Sequence, residues 1–70
     1  MSSIAKVIEV IAESDDSFDA AVDAALQEAK RTVENIKSIY VENMTAVVED
    51  GEIDRYRVNA KVTFVVRPDA

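Results

Sequence analysis

The sequence predicts an α+β fold with the element order β-α-β-β, in which a three-stranded, antiparallel-type sheet packs on one amphipathic helix. Three observations lead to this class. One stretch has apolar residues at helical spacing, three stretches have the composition or alternation of strands, and an Asp-Gly pair separates the last two strands. With 70 residues the chain is one domain that spans residues 1–70.

The helix is predicted from Ser17 to Val33, where apolar residues recur at intervals of three and four positions. The stretch contains no Gly or Pro and is rich in alanine, the best helix former. Asp15, Asp16 and Ser17 are N-cap candidates, and Asn35 can end the helix. Because the apolar stripe is mostly Ala and Val, we expect the helix to lie close against a sheet.

The first two strands are predicted from Ala5 to Ala12 and from Ser38 to Val48. The first is apolar at nearly every position, so it needs cover on both faces. The alternation of the second slips near Asn43. Such a slip indicates a β-bulge, or a strand that leaves its own sheet to contact another chain.

The third strand, from Ile53 to Val66, has the clearest alternation, and its apolar set is expected to face the helix. Pro68 cannot donate to a strand ladder and therefore ends it. The preceding Glu49–Glu52 segment is predicted as a hairpin turn, since Gly51 tolerates positive φ. A β-α-β crossover makes strands one and two parallel, so strand three can lie between them, antiparallel to both.

The length of strand three predicts association between copies. At ~3.3 Å per residue it spans roughly 46 Å, whereas a compact globule of this size is about 28 Å across. The uncovered sheet face is expected to carry residues such as Ile39 or Val41 beside Arg55, Arg57 and Lys61. With no Cys for disulfides, we expect neighbouring subunits to cover the hairpin.

Composition and charge exclude several classes of function. The chain has no His and no Cys, so it lacks the usual zinc and copper ligands and the Cys–His and Ser–His catalytic pairs. A net charge of −6 argues against nucleic acid and anionic membrane surfaces as partners. No apolar run approaches the roughly 18 residues of a membrane span, and the N-terminus is interpreted as a strand rather than a signal peptide. We therefore expect a cytoplasmic protein that is not an enzyme.

The stretches KVIEVIAES, DDSFDAAVDAAL, TVENI and VVEDGEIDRYRVNAKVTF together resemble the dodecin family along nearly the whole chain. Dodecins are small β-α-β-β proteins that assemble into hollow dodecamers and bind flavins between subunits. The resemblance therefore implies a homododecamer with a small molecule or ion as its ligand.

The resemblance also implies where a flavin pocket lies and that it is altered. The family's stacking Trp matches Ser38, its ring-binding Gln matches Arg57, and an Arg near the ligand phosphate matches Thr45. Tyr40 points to the same face as Ser38. Loss of the Trp, the Arg at 57 and the Arg67-Pro68 end resemble the calcium dodecin branch, which implies bound calcium and a degenerate flavin pocket. The alternatives are a flavin-binding dodecin with an altered pocket and a structural oligomer without ligand.

Two charged groups are candidates for ligand binding. Glu49, Asp50 and Glu52 crowd the hairpin and are the metal-site candidates, although a polar turn that keeps the tip soluble explains them as well. The basic residues of strand three either form a wall for an anionic ligand or pair with carboxylates of another subunit such as Glu9 or Glu42. The cluster of Asp15, Asp16 and Asp19 is explained more simply by helix capping.

Overall fold

The structure, a computed structural model, describes residues 3–67 and contains each predicted element in the predicted order. All three strands extend beyond their predicted ends, and Pro68 lies outside the described residues. The elements are β1 (Ile4–Ser14), α1 (Phe18–Lys30), β2 (Ile36–Glu49) and β3 (Glu52–Arg67).

Helix α1 begins as predicted and ends earlier. The Ser17 hydroxyl accepts a hydrogen bond from the Ala20 backbone N–H at 2.9 Å, which makes Ser17 the N-cap rather than either preceding Asp. The helix ends at Lys30, with Arg31 as its C-cap. The next two residues, Thr32 and Val33, are β-branched and therefore weaker helix formers.

Asn35, predicted as the end of the helix, instead leads into β2. Its backbone is left-handed, with φ of 63°, and its carbonyl accepts a hydrogen bond from the Val65 N–H at 3.1 Å. Asn tolerates this conformation better than most residues because its short polar side chain can bond locally. The residue therefore attaches the loop to β3 rather than ending the helix.

The core is a thin layer between α1 and β3. Its buried residues are three alanines of the helix and four alternate residues of β3, namely Ala21, Ala25, Ala29, Val58, Ala60, Val62 and Phe64. Small helix side chains let the two elements approach closely. Phe18 and Tyr56 extend this layer, since their rings meet edge-to-face with centroids 4.9 Å apart. Val66, expected in the same set, is about half exposed at 47%.

The sheet has the order β1-β3-β2, and both neighbouring pairs are antiparallel, as predicted. The hairpin turns at Asp50 and Gly51, which both have positive φ (52° and 78°), as a two-residue Asp-Gly turn requires. The predicted slip in β2 is a bulge, because the pairing with β3 shifts between Val41 and Asn43 and leaves Glu42 unmatched.

The described chain is long and thin. Its principal extents are 54 × 19 × 14 Å and its radius of gyration is 14.5 Å, against about 11 Å expected for a compact globule of this length. The overhanging hairpin predicted from strand length is therefore confirmed. Within residues 3–67 no helix is long and apolar enough to cross a membrane.

Candidate functional site

The face of the sheet turned away from α1 carries the candidate pocket residues, and we call it the open face. On β3 the residues that face the helix are even-numbered and buried from Val58 to Phe64, so the odd-numbered ones from Arg55 to Val65 belong to the open face. Residues that pair across strands share a face. By that register Ile39 and Val41, opposite Val62 and Ala60, lie on the helix side, contrary to expectation.

The three residues matched to the family's flavin pocket, together with Tyr40, all lie on the open face but do not meet within one chain. Thr45 is the cross-strand partner of Arg57, whereas Ser38 is the partner of Thr63. Arg57 and Thr63 are six positions apart on β3, which is ~20 Å at ~3.3 Å per residue. Ser38 and the exposed Tyr40 thus form one half of the candidate pocket, and Thr45 and Arg57 form the other.

An ion-pair cluster surrounds Arg57. Arg57 Nε donates to Glu13 Oε2 at 2.6 Å, and Arg55 Nε lies 3.3 Å from Glu13 Oε1. Arg55 Nη1 also donates to Asp54 Oδ2 at 3.1 Å. One β1 carboxylate therefore faces two guanidinium groups of β3. The sequence alone did not point to Glu13, because its role as an ion-pair partner depends on the strand register that places it opposite Arg57.

These basic residues have ion-pair partners within the same chain. Lys61 Nζ lies 3.8 Å from Glu42 Oε1, so one predicted partner is present but on the same chain. Glu9, the other named candidate, is the cross-strand neighbour of Lys61. Arg55, Arg57 and Lys61 thus each have a carboxylate nearby on the same chain.

The charge cluster changes the acidity of Glu13. The hydrogen bond from Arg57 lowers the pKa of the Glu13 carboxyl below its ordinary value. Desolvation opposes this shift, and the positive charges of Arg55 and Arg57 add to it. The carboxylate is therefore the form that this arrangement favours.

The candidate metal residues stand at the hairpin tip. Glu49 and Glu52 are cross-strand partners, and Asp50 lies in the turn between them, all exposed. Among residues 3–67 no three carboxylates of one chain are grouped closely enough to hold a metal ion. Any calcium site at the tip would need oxygens from another source, since calcium takes about six to eight of them.

Large apolar side chains on the open face are exposed to solvent. Ile11 is 67% exposed and Tyr40 is 64% exposed. Val7 is also over half exposed on this face, since it pairs with Thr63. Several large apolar side chains exposed on one face of a small protein indicate an interaction site.

A family model places the chain among known proteins. The model described as Dodecin matches residues 4–67. This chain belongs to the dodecin family. Its β-α-β-β fold is therefore a dodecin fold, and the open face is the corresponding face of a dodecin sheet.

Solved dodecins share this backbone. A point mutant of the dodecin from T. thermophilus has a TM-score of 0.89 and 23% identity, and the match covers 94% of this chain and 98% of the other. The dodecin from Streptomyces coelicolor has a TM-score of 0.88 and 27% identity over 96% of each chain. No curated protein matches the sequence at a significant level.

A further solved dodecin is named for the ion that it binds. The calcium dodecin from Mycobacterium tuberculosis is described as a calcium-chelating immunodominant antigen with a novel calcium-binding site. It is 33% identical to this chain, with a TM-score of 0.80 and coverage of 97% of each chain. The fold of this chain is thus shared by dodecins that are named for calcium and by dodecins that are not.

Proposed function

We propose that this dodecin assembles into a hollow homododecamer that binds and stores a small molecule or an ion and does not catalyse a reaction. The observation that carries the proposal is the division of the candidate pocket. Its two halves, at Ser38 and at Arg57, are ~20 Å apart on one chain. A ligand that touches both kinds of residue therefore needs two chains.

Energetics also favour assembly. Small domains bury too little surface to be stable alone, and the buried core here is one layer of Ala, Val and Phe side chains. The exposed residues of the open face supply the missing apolar area. Burial contributes about 25 cal/mol per Å², so covering several such side chains stabilises an oligomer by several kcal/mol.

For the ligand, we infer calcium in preference to flavin. Stacking of a ring on an aromatic side chain contributes ~1–3 kcal/mol, and Ser38 supplies none of it. The similarity to the calcium dodecin supports an ion as the ligand. The proposed ligands are Glu49, Asp50 and Glu52, with the coordination completed by oxygens of neighbouring copies.

Flavin binding with an altered pocket is the second candidate. One observation favours it: Tyr40 is exposed on the same face as Ser38 and offers an aromatic ring. Tyr40 lies opposite Lys61 instead of Thr63, so its ring stands one position further along the face. A structural oligomer without ligand is the remaining alternative.

Native mass spectrometry of the protein as purified tests these proposals together. We expect a dodecamer with mass increments of calcium size. Increments of flavin size would favour the second candidate, and a bare dodecamer would favour the structural one. A monomer or dimer would contradict the assembly itself.

A calcium titration then tests the proposed ligands. After chelation, calcium uptake should fall in the Glu49→Gln, Glu52→Gln double variant. The Asp19→Asn, Asp23→Asn double variant is the matched control, because it removes the same charge from the exposed side of α1. Equal uptake by both variants would contradict the hairpin site.

A further inference from the structure

We propose that Glu13 is a specificity-determining residue of the candidate pocket. As the counter-ion of Arg57 and Arg55, it keeps anionic ligands out and leaves the pocket to uncharged ones. This inference rests on the proposed function, because it concerns the same pocket and names the class of organic ligand that the pocket accepts.

Both arginines form ion pairs with carboxylates of their own chain. Arg57 gives its Nε to Glu13 at 2.6 Å, and this bond is charge-assisted and short. The buried Arg55 Nε is 3.3 Å from the same carboxylate without a hydrogen-bond partner, so that contact is purely electrostatic. Since Asp54 accepts from Arg55 Nη1, two carboxylates balance two guanidinium groups.

The surroundings add no positive charge. A cavity of about 330 Å³ beside the cluster is lined by Glu13, Ser14, Asp15, Asp54 and Arg55, so its acidic side chains outnumber its basic one. Further along the open face Lys61 lies 3.8 Å from Glu42 and opposite Glu9. A phosphate-bearing ligand arriving at Arg57 therefore meets a neutral to acidic surface.

Uncharged and phosphate-bearing ligands differ in whether they must break the ion pair between Glu13 and Arg57. A guanidinium has five N–H donors, and the bond to Glu13 uses only Nε. An uncharged ligand can accept from the terminal nitrogens of Arg57 while the ion pair stays intact. A phosphate gains a strong bond only when Glu13 moves away, and otherwise it is repelled by that carboxylate.

Riboflavin and FMN are the matched probes, because they share a ring system and differ by one phosphate. A Ser38→Trp background supplies ring stacking, and binding is measured by quenching of flavin fluorescence. Adding Glu13→Gln should raise the affinity for FMN relative to riboflavin by about tenfold, the effect of one charged hydrogen bond. Glu34→Gln, which removes an exposed carboxylate from the loop after α1, is the control and should leave the ratio unchanged.

Inorganic pyrophosphate is a second probe, because it needs no ring pocket. By calorimetry, Glu13→Gln in the otherwise unchanged chain should bind it about tenfold more tightly, and Glu13→Gln with Arg57→Gln should lose that gain. A gain for pyrophosphate without any flavin binding would support the role of Glu13 and contradict the ring pocket. Flavin binding with an unchanged FMN-to-riboflavin ratio would overturn the role of Glu13 alone.

The oligomeric state of each variant is checked by native mass spectrometry. If Glu13→Gln does not assemble, Glu13→Ser takes its place, and Glu13→Asp retains the charge. The Asp variant should leave the FMN-to-riboflavin ratio near that of the parent. A tenfold gain for FMN in Glu13→Asp would contradict the argument from charge.

Discussion

At the scale of single residues, the open face differs from the family pattern in chemistry rather than in backbone. Ser38, Thr45 and Arg57 all lie in strands, with Ser38 directly after a bulge at Lys37, and a Trp or Gln is compatible with a strand backbone. If these positions are matched correctly to the flavin pocket, their side chains can change without a change of fold. Restoring the Trp and the Gln tests whether these positions were matched correctly.

Ser38→Trp combined with Arg57→Gln should create or greatly strengthen riboflavin binding. The indole supplies stacking worth ~1–3 kcal/mol per ring, which is about tenfold or more in affinity. Fluorescence quenching of riboflavin by the assembled variant measures the gain. Gln27→Trp, on the exposed side of α1, is the control. Unquenched riboflavin with a correctly assembled double variant would show that the pocket positions are wrong.

Glu13 should also make the stability of the protein depend on acid pH. Arg57 lowers the pKa of this carboxyl in the folded chain relative to the unfolded chain. The folded state therefore binds its proton less readily, and the stabilisation is fully present above the unfolded value of about 4.3. It is lost as the pH falls through the lower pKa of the folded state.

Urea unfolding at a fixed protein concentration, over a pH series below neutrality, measures this dependence. The free energy of unfolding of Glu13→Gln should fall less between pH ~4.5 and more acid values than that of the parent. Glu34→Gln, in the loop after α1, serves as the control and should keep the parent's slope. A Glu13 variant with the parent's slope would contradict the assigned shift.

At the scale of elements, the sequence predicted the elements and the strand order correctly, but not the register between strands. The helix, the three strands, the bulge near Asn43 and the Asp50-Gly51 turn each follow from neighbouring residues. Register does not, because it depends on residues far apart in sequence, and this is why Glu13 was missed. The helix end at Lys30 was also missed, because the apolar spacing continues to Val33 while the backbone leaves the helix.

The contact between α1 and β3 depends on buried alanines, and a larger side chain in their place would overpack it. Ala25 is buried against the sheet, whereas its neighbour Ala24 is exposed. Ala25→Leu should lower the free energy of unfolding by about 1–3 kcal/mol through overpacking, and Ala24→Leu should change it little. Urea unfolding of both variants at equal protein concentration makes the comparison. Equal stability would mean that the helix can move away from β3 at no cost.

At the scale of the whole molecule, the shape of the chain explains the division of its pocket. Arg57 and Thr63 lie six positions apart along the 16-residue β3, in a described chain that extends over 54 Å, so the two halves of the pocket cannot meet on one chain. Because α1 covers the other face of the sheet, the apolar residues of the open face stay exposed on the single chain. Ligand binding and assembly are therefore expected to depend on one surface.

Ile11→Lys should disrupt the assembly, because it places a charge at an exposed apolar position of the open face. Ile11 is 67% exposed on the single chain, so the substitution removes little packing within the chain itself. In an interface, by contrast, an unpaired charge costs several kcal/mol. Native mass spectrometry and light scattering should show species smaller than the parent's at the same concentration.

Ala24→Lys is the matched control, since it introduces the same charge on the exposed side of α1. It should leave the oligomer unchanged if the helix faces solvent in the assembly. Circular dichroism of the Ile11 variant separates loss of assembly from loss of fold. If Ile11→Lys forms the same oligomer as the parent, then the open face is not buried between subunits, and the two halves of the pocket are not brought together across it.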